Sequence, residues 1–211
     1  LVADDENREN EGDAIIAAEL VTEEWMAWIV RNTTGFLCVP MEESRANELE
    51  LPLMTVHNED PHVTNYTVSV DAANRYATGV SAADRANTAN VLANPRSTAA
   101  ALIRPGHMLP LRAHPLGVHG RRGHTEATVD LLKLAGLQPV GVIGEMDSAL
   151  KRIAYQGVIG LCVLLNFSFL SGYLLDSLKQ ESVIKAFSES ELVHESNVIM
   201  IDDSLALSFN A

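Results

Sequence analysis

Short apolar runs alternate along the chain with charged, helix-like segments. Residues 14–19 (AIIAAE) are an apolar run set between acidic residues, and the pattern predicts a short strand. Thr22, followed by Glu23 and Glu24, reads as an N-cap with acids in the first turn, opening a helix whose buried face comes from WMAWIV (25–30). Residues 35–40 (GFLCVP) have the length and flanks of a buried strand, and EESRANELEL (42–51) reads as a charged surface helix. TNYTVSVD (64–71) alternates polar and apolar residues, the period of a half-buried strand, and SAAD (81–84) is a capping-box pattern at a helix start. A loop carrying Pro95, Pro105 and Gly106 follows. Thr125 is expected to cap a helix over EATVDLLKLA (126–135), which Gly136 ends before Pro139 opens a strand at VGVIGE (140–145). This alternation predicts a mixed α/β domain without internal repeats.

The last quarter differs in kind. Residues 155–175 (YQGVIGLCVLLNFSFLSGYLL) carry no charge and are long enough to be weighed as a membrane span. Gln156, Asn166 and several Ser and Gly make it a poor one, which favours a buried helix or sequence foreign to the domain. At 211 residues, 47% of them hydrophobic and 20% charged, the chain can bury one sizeable core. A net charge of −13 argues against nucleic acid or an anionic membrane as a partner. Two cysteines, Cys38 and Cys162, make neither a disulfide framework nor a zinc spacing, so a reducing, cytoplasmic setting is expected. No secretory leader precedes the domain, and Leu1 stands where an initiator Met would, so the chain reads as truncated or processed at its start.

Three stretches could carry chemistry. DDENRENEGD (4–13) holds six carboxylates and one Arg8, a composition more often found in solvated tails. Yet Glu9, Glu11 and Asp13 alternate, Gly12 permits a tight turn, and oxygen ligands at this density suit magnesium or calcium. An EF-hand register starting at Asn7 fails, because Ala18 occupies its twelfth position. In RRGHTEA (121–127), Arg121, Arg122 and Gly123 lead into a helix N-terminus, where N–H groups, the dipole and guanidinium suit a phosphate monoester. His124 there is either structural or a metal ligand through its neutral imidazole, with Glu9 as partner. In RPGHMLPLR (104–112), Pro105 and Gly106 are expected to shape a turn presenting His107, either backbone-bonded or a general acid or base. Glu145 ends an apolar strand, where open α/β sheets place their ligands, whereas Cys38 by itself reads as core.

Taken in order, DDENRENEGD, TGVSAADR, RPGHMLPLRA and RRGHTEATVDLLKLAGLQPVGVIGE resemble the 3,4-dihydroxy-2-butanone 4-phosphate synthase family, fungal members most of all, over roughly residues 1–145. The resemblance implies a three-layer α-β-α single domain around a mixed sheet, and a homodimer with active sites at its interface. It also implies conversion of D-ribulose 5-phosphate to 3,4-dihydroxy-2-butanone 4-phosphate and formate in riboflavin biosynthesis. Magnesium would be the metal, with manganese as a substitute, and no organic cofactor is implied. Carried over residue by residue, it makes Glu9 and His124 metal ligands and His107 and Glu145 catalytic. Arg8, Asp13, Thr64, Arg121, Arg122, Gly123, His124 and Thr125 would bind substrate, and Cys38 would lie close to it. VTNYT (63–67) departs from the family's glycine-threonine-alanine run. The synthase-like domain is taken as residues 1–146, and residues 147–211 form a divergent tail without the zinc cysteines of a fused GTP cyclohydrolase II. The alternative function is that of a catalytically inactive relative serving as a metal-binding or interaction module.

Overall fold

The computed structural model describes residues 1–4 and 7–146. Six strands form one sheet: β1 (Val2–Ala3), β2 (Gly12–Ala17), β3 (Cys38–Met41), β4 (Val70–Ala72), β5 (Leu102–Arg112) and β6 (Gly141–Glu145), in the order β1-β2-β6-β3-β5-β4. Among these pairings β3–β5 is parallel and the rest are antiparallel, so the sheet is mixed. The described residues form four α-helices, α1 (Glu23–Asn32), α2 (Glu43–Glu48), α3 (Ala82–Ala93) and α4 (His124–Leu134). Two glycines of β6 show how tightly helices approach it: a Cβ on Gly141 would lie 2.3 Å from Thr128 of α4, and one on Gly144 2.8 Å from Thr33 at the end of α1. Positions three apart on a strand face opposite sides, so helices cover both faces in the three-layer α-β-α arrangement. Central β3 is buried at all four residues because β5 and β6 flank it.

Helix ends follow the local chemistry. The Thr22 hydroxyl accepts the Trp25 N–H at 3.3 Å, and the Ser81 hydroxyl accepts that of Asp84 at 3.1 Å. The Asp84 carboxylate does not mirror that bond as a capping box would; it takes N–H bonds from Tyr76, Ala77 and Gly79 in the preceding loop. At the end of α4, Gly136 has φ +71°, and the Gly136 and Leu137 N–H groups return to the carbonyls of Lys133 and Leu132, the paired bonds of a Schellman turn.

Four expectations shift. β2 begins at Gly12, two residues before the apolar run, which draws Asp13 into the sheet opposite Glu145. The strand expected over 64–71 is broken up: Tyr66 and Thr67 make isolated bridges, to Leu111 and Leu53, Thr67 bonds the Pro110 carbonyl of β5 through its N–H and its hydroxyl, and continuous strand remains at β4, Val70–Ala72. The cap of α4 is Gly123 and not Thr125: Ala127 N–H already bonds the Gly123 carbonyl, so Thr125 lies inside the first turn. Residues 104–112 are not a plain turn but part of the long strand β5. The β4 partners step from Asp71 to Val70 while the β5 partners step from Ile103 to Met108, so Arg104, Pro105, Gly106 and His107 are a four-residue excess that bulges from the ladder. Proline is tolerated there because a bulged residue owes the ladder no N–H. The tail 147–211, with its apolar run and Cys162, lies outside the described residues. Among the described residues, no helix is long and apolar enough to cross a membrane.

Candidate active site

Pairing of Val2 with Asp13 and of Ala3 with Gly12 turns the acidic stretch into a hairpin loop, not a tail. Asp4 organises it, with Oδ1 accepting the Glu11 N–H at 2.8 Å and Oδ2 accepting Arg8 at 2.7 Å and the Glu9 N–H at 3.2 Å. Arg8 also pairs with the Glu9 carboxylate. Burial alone would raise the Asp4 carboxyl, but the Glu11 N–H, Arg8, nearby His124 and the Glu9 N–H together hold it below the ordinary carboxylate range.

The N-terminal turn of α4 faces the same space. His124 is buried at 8% exposure, with Nδ1 3.7 Å from Asp13 Oδ1 and no hydrogen-bond partner at Nε2 among the described residues. Desolvation lowers its pKa below the usual value and outweighs the pull of Asp4 and Glu9, so the ring is neutral and carries a lone pair. A neutral imidazole with an orphaned nitrogen beside a loop of carboxylates fits a divalent cation. Among the described residues, no three His, Cys, Asp or Glu side chains converge to hold a metal by themselves.

Arg121 is held by three bonds: to Glu126 Oε2 at 2.7 Å, to the His62 carbonyl at 2.8 Å and to the Thr64 hydroxyl at 2.8 Å. Glu126, only 1% exposed, accepts the His114 N–H with its other oxygen. Guanidinium has five N–H donors, so a fixed Arg121 retains two for an anion, next to helix N–H groups that have no acceptor within α4.

These parts meet in a cleft of about 360 Å³. Of the residues expected from sequence, Arg8, Glu9, Asp13, Thr64, Arg121, His124, Thr125 and Glu145 line it. Arg122 is exposed and does not, and Gly123 is the N-cap residue of α4 behind it. His107 is also absent from the lining; it sits in the β5 bulge beside Asp71, and β5 is two strand spacings, about 10 Å, from the strand that carries Glu145. Thr34, Phe36 and Tyr66 line the cleft without having been singled out from the sequence. An exposed Phe36 packed against Tyr66 at 6.4 Å looks in sequence like any strand-edge aromatic, so only its position exposes the role. Cys38 lines the cleft too; burial, with Asp13 nearby, pushes its thiol up to about 12, so it stays protonated at neutral pH.

The model of the 3,4-dihydroxy-2-butanone 4-phosphate synthase family matches residues 1–158. A curated relative of that name from Candida albicans is 57% identical over 146 residues, 69% of this chain and 72% of that protein. The riboflavin biosynthesis protein RibBA of Salinispora arenicola is 52% identical over 156 residues, which cover 72% of this chain but 37% of that longer protein. A crystal structure of 3,4-dihydroxy-2-butanone 4-phosphate synthase in complex with two magnesium ions is similar at a TM-score of 0.68 and 53% identity, covering 69% of this chain and 68% of that one. The chain belongs to this family of lyases.

Proposed function

We propose that this member of the 3,4-dihydroxy-2-butanone 4-phosphate synthase family converts D-ribulose 5-phosphate to 3,4-dihydroxy-2-butanone 4-phosphate and formate, a step of riboflavin biosynthesis in the cytoplasm. The observation that carries the reading is one cleft lined by Glu9, His124, Arg121, Thr125 and Glu145. It joins cation ligands, an anion-binding helix end and a carboxylate able to move a proton. Glu9 and His124 would hold magnesium, with manganese as a substitute, and substrate oxygens and water would complete the shell that magnesium favours. When bound, the ion stabilises negative charge on the sugar oxygens during enolisation.

Arg121 and the first turn of α4 at Thr125 bind the phosphate, with Arg122 and Gly123 flanking it. Arg8, Asp13 and Thr64 contact the hydroxyls. Glu145 takes the proton from C3; loss of water and a carbon shift follow, and addition of one water at C4 before that carbon departs as formate restores the balance and leaves four of the five carbons in the product. His107 lies outside the cleft lining of its own chain, so its proton-transfer role calls for a homodimer in which His107 of the partner subunit reaches the cleft. No nucleic acid or membrane partner enters this reading.

The test is formate release from D-ribulose 5-phosphate with magnesium, repeated with EDTA. Metal-dependent formate is the expected result. A folded dimer that binds magnesium but releases no formate would leave the inactive metal-binding relative in its place.

A further inference from the structure

We propose that Asp71 is the positioning residue for His107, fixing the tautomer and the aim of its imidazole; the inference rests on the proton-transfer role given to His107 above. Asp71 is buried on β4, with Oδ1 accepting the His107 backbone N–H at 2.8 Å and Oδ2 2.9 Å from His107 Nδ1. A carboxylate can only accept, so Nδ1 carries the proton, and in the neutral ring Nε2 holds the lone pair. The imidazole is thus gripped at the backbone and at one ring nitrogen, while 43% of the side chain stays exposed. That combination is what a proton carrier needs: a fixed orientation and one open nitrogen.

The surrounding chain is shaped to allow the contact. The four-residue excess in β5 brings His107 over Asp71, and a Cβ on Gly106 would lie 2.0 Å from the Val70 carbonyl carbon. Gly79, at φ +102°, leaves the space of the carboxylate, for a Cβ there would lie 2.1 Å from Asp71 Oδ2. Holding the bulge in place is a separate task, to which the Ser69 hydroxyl contributes by accepting the Gly106 N–H at 3.2 Å.

The two roles separate in Asp71→Asn. An asparagine can still accept the His107 backbone N–H, but its amide NH2 then faces Nδ1, which must become the acceptor and shift the proton to Nε2. The expected result is a fall in kcat of at least about 10²-fold with KM changed less than about threefold; the equivalent Asp→Asn change in the Ser-His-Asp triad costs about 10⁴. Ser69→Ala, which loosens the bulge without touching the ring, keeps kcat within about twofold. ¹⁵N NMR of histidine-labelled protein reads the tautomer directly, with Nδ1 protonated in the wild type and Nε2 protonated in Asp71→Asn. An Nε2-protonated wild type, an unchanged tautomer in the variant, or a wild-type kcat in Asp71→Asn would each overturn the proposal. The wild-type spectrum decides even where the variant does not fold. A wild type that releases no formate removes the functional reading, while the tautomer still judges Asp71.

Discussion

Asp84 and the acidic hairpin both bring carboxylates under the surface, and they are satisfied in opposite ways. Asp84 has no exposed surface, and its oxygens take the N–H groups of Tyr76, Ala77 and Gly79 at 2.6, 3.2 and 3.0 Å. Burial alone would raise its carboxyl, but these bonds and the Ser81 hydroxyl hold it below the ordinary value. The site is closed: it anchors the loop before α3. In the hairpin, Asp4 does the same for residues 9 and 11, but Glu9, Asp13 and Glu145 line an open cleft beside the orphaned nitrogen of His124. A carboxylate whose bonds go to the backbone holds the fold; one that borders a cleft with an unsatisfied neighbour is available to a ligand.

If that contrast is sound, changes in the open site should cost activity and changes in the closed one stability. Glu145→Gln is expected to lower formate release by at least about 10²-fold, with Tm held within about 2 °C. Co-assembling it with His107→Ala sharpens the point: random mixing makes half the dimers mixed, each with one intact interface site, so roughly a quarter of wild-type activity should return. No recovery would mean that each chain uses its own His107. Arg121→Ala straddles both classes, raising KM for the phosphorylated substrate about tenfold. It also costs about 3 kcal/mol in urea unfolding, because buried Glu126 loses its partner.

Asp84→Ala should show the reverse pattern, a Tm lowered by about 5 °C or more with kcat/KM within about threefold. Acid titration probes the same bonds. The folded pKa values of Asp84 and Asp4 are depressed, so their contribution is fully present above the unfolded value near 3.8 and is lost as pH falls through the lower folded values. The urea midpoint should therefore drop below about pH 4, and less so in Asp84→Ala. The smallest effect is expected at Val63, a β-branched residue at φ +54°. Val63→Gly should stabilise by about 0.5 kcal/mol, strain relief exceeding the entropy cost of glycine. A loss of stability there would mean that the exposed Val63 side chain makes contacts worth more than its strain.

What could be read from the sequence was whatever depends on neighbours a few residues apart. The Thr22 and Ser81 caps, the glycine end of α4 and the apolar strand before Glu145 each rest on bonds or patterns within one turn or one strand. Six of the eight expected site residues that line the cleft come from two motifs, 4–13 and 121–127, which meet across β2, β6 and α4, and Thr64 and Glu145 join them from elsewhere in the chain. Arg122, next to Arg121 and identical in type, could not be told from it: Arg121 reaches Glu126 and Thr64 and lines the cleft, whereas Arg122 is exposed and does not line it.

The amino-acid sequence by itself determined the α/β alternation, the family and the acidic and arginine-glycine-histidine motifs, since these lie in contiguous residues. Only the tertiary structure decided that Arg104–His107 bulges from a strand, that Asp71 meets a histidine 36 residues away, and that His107 and Glu145 stand two strands apart. Those outcomes are set by which distant strands pair and in what register, and a shift of one residue in that pairing would turn every side chain to the other face.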